Sequence, residues 1–137
     1  MKNWTDLVKE HLGITLSEKQ LSQFQILQDE LMEWNVKINL TAIKDIRGIQ
    51  EKHFFDSLTC FRGFEGVPES LIDVGSGAGF PGLPIKIVLP ELRLTLVESI
   101  DKKANFSRHI AEKLELTKVE VLSKRAEEVG RMPEHRE

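Results

Sequence analysis

The clearest chemistry in this sequence is a run of glycines flanked by two carboxylates. The run Asp73-Val74-Gly75-Ser76-Gly77-Ala78-Gly79-Phe80-Pro81-Gly82 follows a short apolar stretch and leads into a helical one. Glycines at a strand-to-helix turn let the backbone bend sharply and let a ligand approach with no Cβ in the way. The spacing is Gly-x-Gly-x-Gly, not the Gly-x-Gly-x-x-Gly of dinucleotide loops. Asp73 stands two residues before Gly75. Beside a pyrophosphate its charge would repel, whereas beside the ammonium of an amino-acid moiety it would attract, directly or through water. Glu98 closes the next strand, 23 residues after Gly75. A carboxylate there can accept hydrogen bonds from both hydroxyls of a ribose. No Lys-Ser/Thr pair follows the glycines at P-loop spacing, which argues against a triphosphate.

A ligand with a ribose, an adenine, a cationic amino-acid tail and no phosphate matches these residues, and S-adenosylmethionine is one. A nicotinamide-binding half-domain is the alternative from a different class. If these residues served structure alone, Asp73 would be a cap and Glu98 an exposed carboxylate.

The elements that position this loop follow from periodicity. Ser70–Val74 reads as a buried parallel strand, Leu92–Glu98 as a second and Lys118–Leu122 as a third. Helical stretches at Ile85–Leu89 and Lys102–Leu114 separate them. This alternation predicts an α/β, Rossmann-like parallel sheet, and right-handed crossovers give strand order 3-2-1. Residues 1–69 read as a helical cap. Trp4, Leu7, Val8, His11 and Leu12 keep helical spacing up to Gly13. Ser17 with Gln20 forms a capping box ahead of an apolar stripe at Leu21, Phe24, Leu27, Leu31 and Trp34. Asp45 is a cap candidate for a further stretch carrying Ile46, Ile49, His53, Phe54 and Leu58. The chain thus divides into 1–69, the cap, and 70–137, the first half of a sheet domain.

Composition narrows the class. With 40% hydrophobic and 30% charged residues in 137, the chain is globular in character. Its single cysteine, Cys60, excludes an intramolecular disulfide and reads as a small packing residue beside Phe61. No apolar run is long enough for a membrane span and the start lacks a signal-peptide core, so a cytoplasmic location is expected. The net charge of −3 gives no general support for binding nucleic acid. Residues 102–125, however, hold seven basic and three acidic side chains, net +4, as either a phosphate-facing patch or a solvated helix face. His53 and Asp56 lie three residues apart, but no Cys/His cluster accompanies them, so no metal is expected.

The stretch Ile72-Asp73-Val74-Gly75-Ser76-Gly77-Ala78-Gly79-Phe80-Pro81-Gly82-Leu83-Pro84-Ile85 resembles the first motif of the glucose-inhibited division protein B family, the ribosomal RNA small subunit methyltransferases G. The Phe-Pro-Gly-Leu-Pro continuation is more specific than the glycines. Trp34-Asn35, Asn39-Leu40-Thr41-Ala42-Ile43 and His53-Phe54-Phe55-Asp56-Ser57-Leu58 resemble its N-terminal signatures. Val97-Glu98-Ser99, with Lys102, Lys103 and Phe106, resembles its second strand and following helix, and Arg125-Ala126-Glu127-Glu128 its adenine-side loop.

The resemblance implies methyl transfer from S-adenosylmethionine to N7 of a guanine in 16S ribosomal RNA, leaving S-adenosylhomocysteine. It implies cofactor contacts at Asp73, Gly75, Gly77, Gly79, Phe80, Glu98, Ala126 and Glu127, with Glu98 where the family often has Asp. Asn39, His53 and Asp56 become candidates for the substrate or the cofactor cleft. His53 reads equally well as a brace between helical layer and sheet. Lys102 and Lys103 are candidates for RNA phosphates, and no catalytic residue is identified. The family's later elements do not occur before Glu137. The chain is therefore expected to be C-terminally truncated, with its first strand left at an edge and its activity impaired.

Overall fold

The computed structural model describes residues 3–124. Three parallel strands, β1 (Ser70–Val74), β2 (Arg93–Val97) and β3 (Val119–Leu122), form one sheet in the order β1-β2-β3, the linear order the crossovers predict. The register sets Asp73 beside Leu96, Val74 beside Val97, and Val97 beside Leu122. All three strands therefore end at the same rim, where an open parallel sheet holds its ligands.

Helices α5 (Gly82–Val88) and α6 (Asp101–Lys113) pack on the sheet, α2 (Glu18–Ile38) packs on α5 and α6, and α1 (Trp4–Leu12) leads the chain. Between α2 and β1 runs one helical stretch: α3 (Ile46–Gly48), a π-helical segment (Ile49–Phe55), α4 (Asp56–Leu58) and a 3₁₀ turn (Thr59–Gly63). The caps are made by the residues whose chemistry suits them. Asn3 accepts from the Asp6 amide, Ser17 and Gln20 form a reciprocal box, and Asp45 accepts from the Gly48 amide. Gly13 ends α1 at φ 68°, in the left-handed region glycine adopts without steric cost.

Helix α5 starts at Gly82, three residues before the predicted Ile85. Its second turn needs no break at Pro84, because a proline in the first turn loses no intrahelical bond. Leu92 and Glu98 fall just outside β2, and Lys118 just outside β3. Lys118 has φ 60°, which no strand residue adopts.

The core is continuous across the two segments. Trp4, Phe24 and Phe54 meet with ring centroids 4.9, 5.2 and 5.0 Å apart, and Trp34 packs edge-on against Phe106 at 5.3 Å. Leu83, Ile85 and Ile87 of α5, Leu94 and Leu96 of β2, and Phe106 and Ile110 of α6 are buried in the same cluster. Burying each such side chain contributes about 1.5–3 kcal/mol, so α2 is tied to α5 and α6 through its apolar stripe. Leu21 leaves that stripe: it is 41% exposed on the first turn of α2, where the adjacent Gln20 donates to the Ile87 and Val88 carbonyls of α5. On β1, Ile72 and Val74 are 38% and 53% exposed, whereas Leu94 and Leu96 of β2 are buried. Strand residues alternate between faces, so α5 and α6 cover one face of the sheet. Asp73, between Ile72 and Val74, points to that covered face. Among the described residues β1 is an edge strand.

No helix among the described residues is long and apolar enough to cross a membrane.

Candidate cofactor site

The glycine loop leaves β1 at the rim of the sheet and is anchored by β2. The amides of Gly75 and Ser76 both donate to the Val97 carbonyl, at 2.8 and 3.2 Å. The amides of Gly79 and Phe80 then fold back to the Ser76 carbonyl at 2.9 and 3.1 Å, and the Phe80–Pro81 peptide is cis. Gly75, Gly77 and Gly79 have φ of 71°, 59° and 97°. At Gly75 and Gly77 a Cβ would project into open space, so the backbone there lies bare to a ligand. At Gly79 a Cβ would meet Leu83 at 2.3 Å and the Ser107 hydroxyl at 3.1 Å, so this glycine is required by the helices beneath it.

The two carboxylates hold the loop from either side. Asp73 Oδ2 accepts from the Gly82 amide at 2.9 Å and so fastens the loop's far end to the start of α5. The rest of this carboxyl is largely shielded. Burial pushes its pKa up to about 6, against the opposing pull of the Gly82 amide. Glu98 is 6% exposed, so it is a buried carboxylate, not an exposed one. Its Oε1 accepts from the Gly77 amide at 2.7 Å and its Oε2 from the Ile100 amide at 2.8 Å. Each oxygen retains a lone pair after one amide, since an ionised carboxylate offers about four acceptor sites. The Ser76 and Ser107 hydroxyls, buried close to this loop, have no hydrogen-bond partner among the described residues.

The helical cap meets the loop at Phe80. The His53 ring stacks on Phe80 with centroids 4.4 Å apart and planes 10° from parallel. Its Nε2 lies 2.8 Å from the Thr41 hydroxyl. Burial holds the His53 pKa below its ordinary value, with Asp56 opposing. Asp56 itself is exposed at the start of α4. Asn39 ends α2 in the left-handed region at φ 48°, with Lys44 Nζ 3.5 Å from its Oδ1. Lys102 and Lys103 occupy the first turn of α6, Lys102 exposed and Lys103 partly buried.

Asp73, the glycines, Phe80, Glu98 and His53 therefore converge on one rim. Among the described residues Asn39 and the two lysines make no hydrogen bond, ion pair or ring contact with that group. Ala126 and Glu127 lie outside the described residues. Among the described residues, the basic side chains of 102–124 do not form one open patch. Lys113 pairs with Glu30 at 3.3 Å, Lys118 with Glu91 at 3.0 Å, and Arg108 donates to the Val121 carbonyl at 3.1 Å. Among the described residues no group of His, Cys, Asp and Glu side chains is placed to hold a metal ion. A groove of about 480 Å³ lined by Val67, Pro68, Leu92 and Arg93 lies at the opposite, N-terminal ends of the strands.

Sequence spacing missed Thr41 as a partner of His53. It also missed Lys86, whose buried Nζ donates to the Pro90 and Leu92 carbonyls at 2.6 Å each. A lysine inside an apolar helix was the available signal, because a buried ammonium needs acceptors.

A sheet rim with this loop and two carboxylates is common to many nucleotide-binding proteins; comparison with known proteins separates them. The family model described as rRNA small subunit methyltransferase G (GidB) matches residues 20–136. The chain belongs to the rRNA small subunit methyltransferase G family. Curated relatives of that name include one from Roseiflexus sp. (strain RS-1), 55% identical over 125 residues, 91% of this chain and 53% of the relative. The relative from Chloroflexus aggregans (strain MD-66 / DSM 9485) is 54% identical over 91% of this chain and 52% of its own. That from Bacillus thuringiensis (strain Al Hakam) is 49% identical over 89% and 52%. The chain spans about half the length of the curated relatives it matches. Family membership places the Asp73–Gly82 loop in a methyltransferase fold, so the nicotinamide alternative loses its support.

Proposed function

We propose that residues 70–124, with Ala126 and Glu127 beyond them, form the S-adenosylmethionine side of a methyltransferase that modifies N7 of a guanine in 16S ribosomal RNA. The observation that carries the reading is the pair of carboxylates at one rim, Asp73 and Glu98, joined by glycines whose Cα positions face open space. The residues fit such a ligand. Glu98 keeps one free lone pair on each oxygen for two ribose hydroxyls, while its amide bonds fix the carboxylate in place. Asp73 keeps one oxygen clear of Gly82 for an ammonium. That ammonium, in turn, draws the Asp73 pKa down from about 6 and holds the carboxylate charged at neutral pH. The backbone at Gly75 and Gly77, with no Cβ and open space beside it, admits the sugar and the amino-acid tail without a clash.

When bound, S-adenosylmethionine supplies an already activated methyl: the N7 lone pair forms the new N–C bond, the S–C bond breaks onto sulfur, and no proton moves. The protein therefore needs no general base. Its own residues bind, align and exclude water, and alignment alone can supply most of the acceleration. The absence of a catalytic dyad among the described rim residues agrees with this chemistry. Lys102 and Lys103 are proposed to position RNA through its phosphates, as cations do without reading sequence. Asn39 and Asp56 are proposed for the substrate side. The ribosome-bearing cytoplasm is the proposed location.

Two measurements test separable parts of this reading. Titration with S-adenosylhomocysteine and with NAD, followed by NMR, is expected to shift the Gly75–Phe80 and Glu98–Ile100 amides with the first ligand only. Shifts with NAD and none with S-adenosylhomocysteine would reject the cofactor. Mass mapping of 16S RNA from cells with and without the protein is expected to show one N7-methylguanine that depends on it. Because the chain spans about half of its relatives' length, residue 1–137 protein alone is expected to bind weakly and methylate little, and micromolar affinity would contradict that.

A further inference from the structure

Two rings of the helical cap reach Phe80 of the glycine loop: His53 stacks on it with centroids 4.4 Å apart, and Phe54 lies tilted at 6.3 Å, so the His53 stack is the closer contact. It ends a chain of contacts that starts in α2. Buried Asn35 accepts the Thr41 amide at 2.9 Å through its side chain. The Thr41 hydroxyl accepts the Ile43 amide at 3.2 Å and meets His53 Nε2 at 2.8 Å. His53 itself lies in the π-helical segment, where one extra residue per turn changes which side chains share a face. Its neighbour Phe54 is buried against Trp4 and Phe24 while His53 is presented to the loop. The Ser57 hydroxyl donates to the His53 carbonyl. The imidazole is thus fixed at both its edge and its backbone.

The loop it touches needs such support. Between Val74 and Phe80 three residues have positive φ, all of them glycine, and glycine gives up more freedom on ordering than any other residue. The Gly75 and Ser76 amides tie it to the Val97 carbonyl of β2, the Gly79 and Phe80 amides close it onto the Ser76 carbonyl, and Glu98 holds Gly77. Phe80 is the one large side chain of the run, so fixing its ring fixes the loop's exit.

We propose that His53 is a positioning residue of the cofactor loop, held by Asn35 and Thr41 and acting through the ring of Phe80, and not a contact for RNA. Its role is steric and aromatic: a flat ring parallel to Phe80, set at the correct height by the Thr41 bond. This goes beyond cofactor binding in assigning a residue outside the sheet to the geometry of the loop. It rests on the proposed cofactor only for the ligand arm of its test.

Hydrogen exchange of the unliganded protein is the primary measurement, since the Gly75–Phe80 amides report directly on the loop. In His53→Ala and His53→Gln these amides are expected to exchange about fivefold faster, the scale of a lost aromatic pair, while α2 and β3 amides keep their rates. His53→Phe restores the ring without the Thr41 bond and is expected to recover most of the protection. Equal exchange in wild type and His53→Ala overturns the proposal. So does protection restored by Gln and not by Phe, which would assign the effect to the hydrogen bond alone. A uniform rise across all elements would mean global destabilisation and would also overturn it.

The second arm is S-adenosylhomocysteine affinity by NMR titration. Wild type is expected to bind about fivefold more tightly than His53→Ala, and His53→Phe is expected to recover most of that affinity. If the wild type shows no binding while the exchange result holds, the cofactor reading fails and the positioning role stands. If all His53 variants bind as wild type does while RNA crosslinking falls, His53 is an RNA contact and the proposal is wrong.

Discussion

Asp73 carries a cost in the free protein that the proposed ligand removes, and Asp73→Asn measures both. The folded carboxyl titrates at about 6, against 3.8 for an ordinary one, because burial opposes its charge more than the Gly82 amide favours it. One unit of such a difference corresponds to roughly 1.4 kcal/mol, which makes an upper bound of about 3 kcal/mol at neutral pH. Asp73 is only partly buried, and screening by solvent lowers the expected value to about 1–2 kcal/mol. The sign follows from proton uptake. Between pH 3.8 and about 6 the folded state holds the proton that the unfolded state has lost, so stability from this group falls as pH rises through that window. Asparagine keeps an oxygen for the Gly82 amide and has no charge to bury. At pH 7.5, Asp73→Asn is therefore expected to melt roughly 3–8 °C higher than wild type, and the gap is expected to close as pH falls to 4. Every other titrating group is common to both proteins, so the difference curve isolates Asp73. The same variant is expected to lose about tenfold or more in affinity for S-adenosylhomocysteine at pH 7.5, since a neutral amide offers an ammonium far less than a carboxylate does. A variant that melts lower than wild type at pH 7.5, or a difference flat from pH 4 to 8, would refute the argument. It would show that Asp73 stabilises this loop as an ordinary cap.

Gly77→Ala should separate strain from ligand clash: at φ 59° with open space around its Cβ, it is expected to cost only about 1–2 kcal/mol in urea unfolding but to abolish detectable S-adenosylhomocysteine shifts. Glu98→Ala strips acceptors from the Gly77 and Ile100 amides and is expected to lower stability by about 2–4 kcal/mol, with Gly75–Phe80 exchange accelerated more than any other segment. Lys86→Met keeps the apolar stem but leaves the Pro90 and Leu92 carbonyls without their donor. A loss of about 2–4 kcal/mol is expected by chemical denaturation, with the glycine-loop amides unaffected.

What the sequence made legible was local. The Ser17–Gln20 box, the Asp45 cap, the strand at Ser70–Val74 and the glycine loop all depend on residues within about one helical turn or one strand of each other, and each occurs where its pattern places it. Parallel order followed from strand–helix alternation because crossover handedness leaves little choice. Long-range pairing was not legible. Glu30, buried in α2, meets His109 and Lys113 of α6, which hold its pKa below the ordinary value, and no periodicity joins residues nearly eighty positions apart. Lys113 therefore looked like part of a basic face when it is one side of an interhelical pair. The π segment was invisible for a related reason: a helix that widens by one residue per turn keeps an ordinary apolar pattern on either side of the insertion. For that reason Thr41 and His53 read as motif residues without a geometry.

The two carboxylates of the rim show how one residue type serves opposite needs. Glu98 receives two amides, one on each oxygen, and buried charge is tolerable when hydrogen bonds replace the lost water. Its position is then fixed before any ligand arrives, which suits a group that must meet two hydroxyls at set distances. Asp73 receives one amide and is held near neutrality by burial, so its full charge is developed best by a cation that arrives beside it. A loop built on three left-handed glycines between them has little rigidity of its own. The preorganised Glu98 on one side and the His53–Phe80 stack on the other supply it. Recognition of a cationic, ribose-bearing ligand would then use a rigid acceptor for the sugar and a charge-responsive one for the tail. On the proposed reading the helical cap, and not only the sheet, would belong to the binding machinery. Loosening the cap at Thr41 should accordingly weaken ligand binding at the rim without altering a single atom of Asp73 or Glu98.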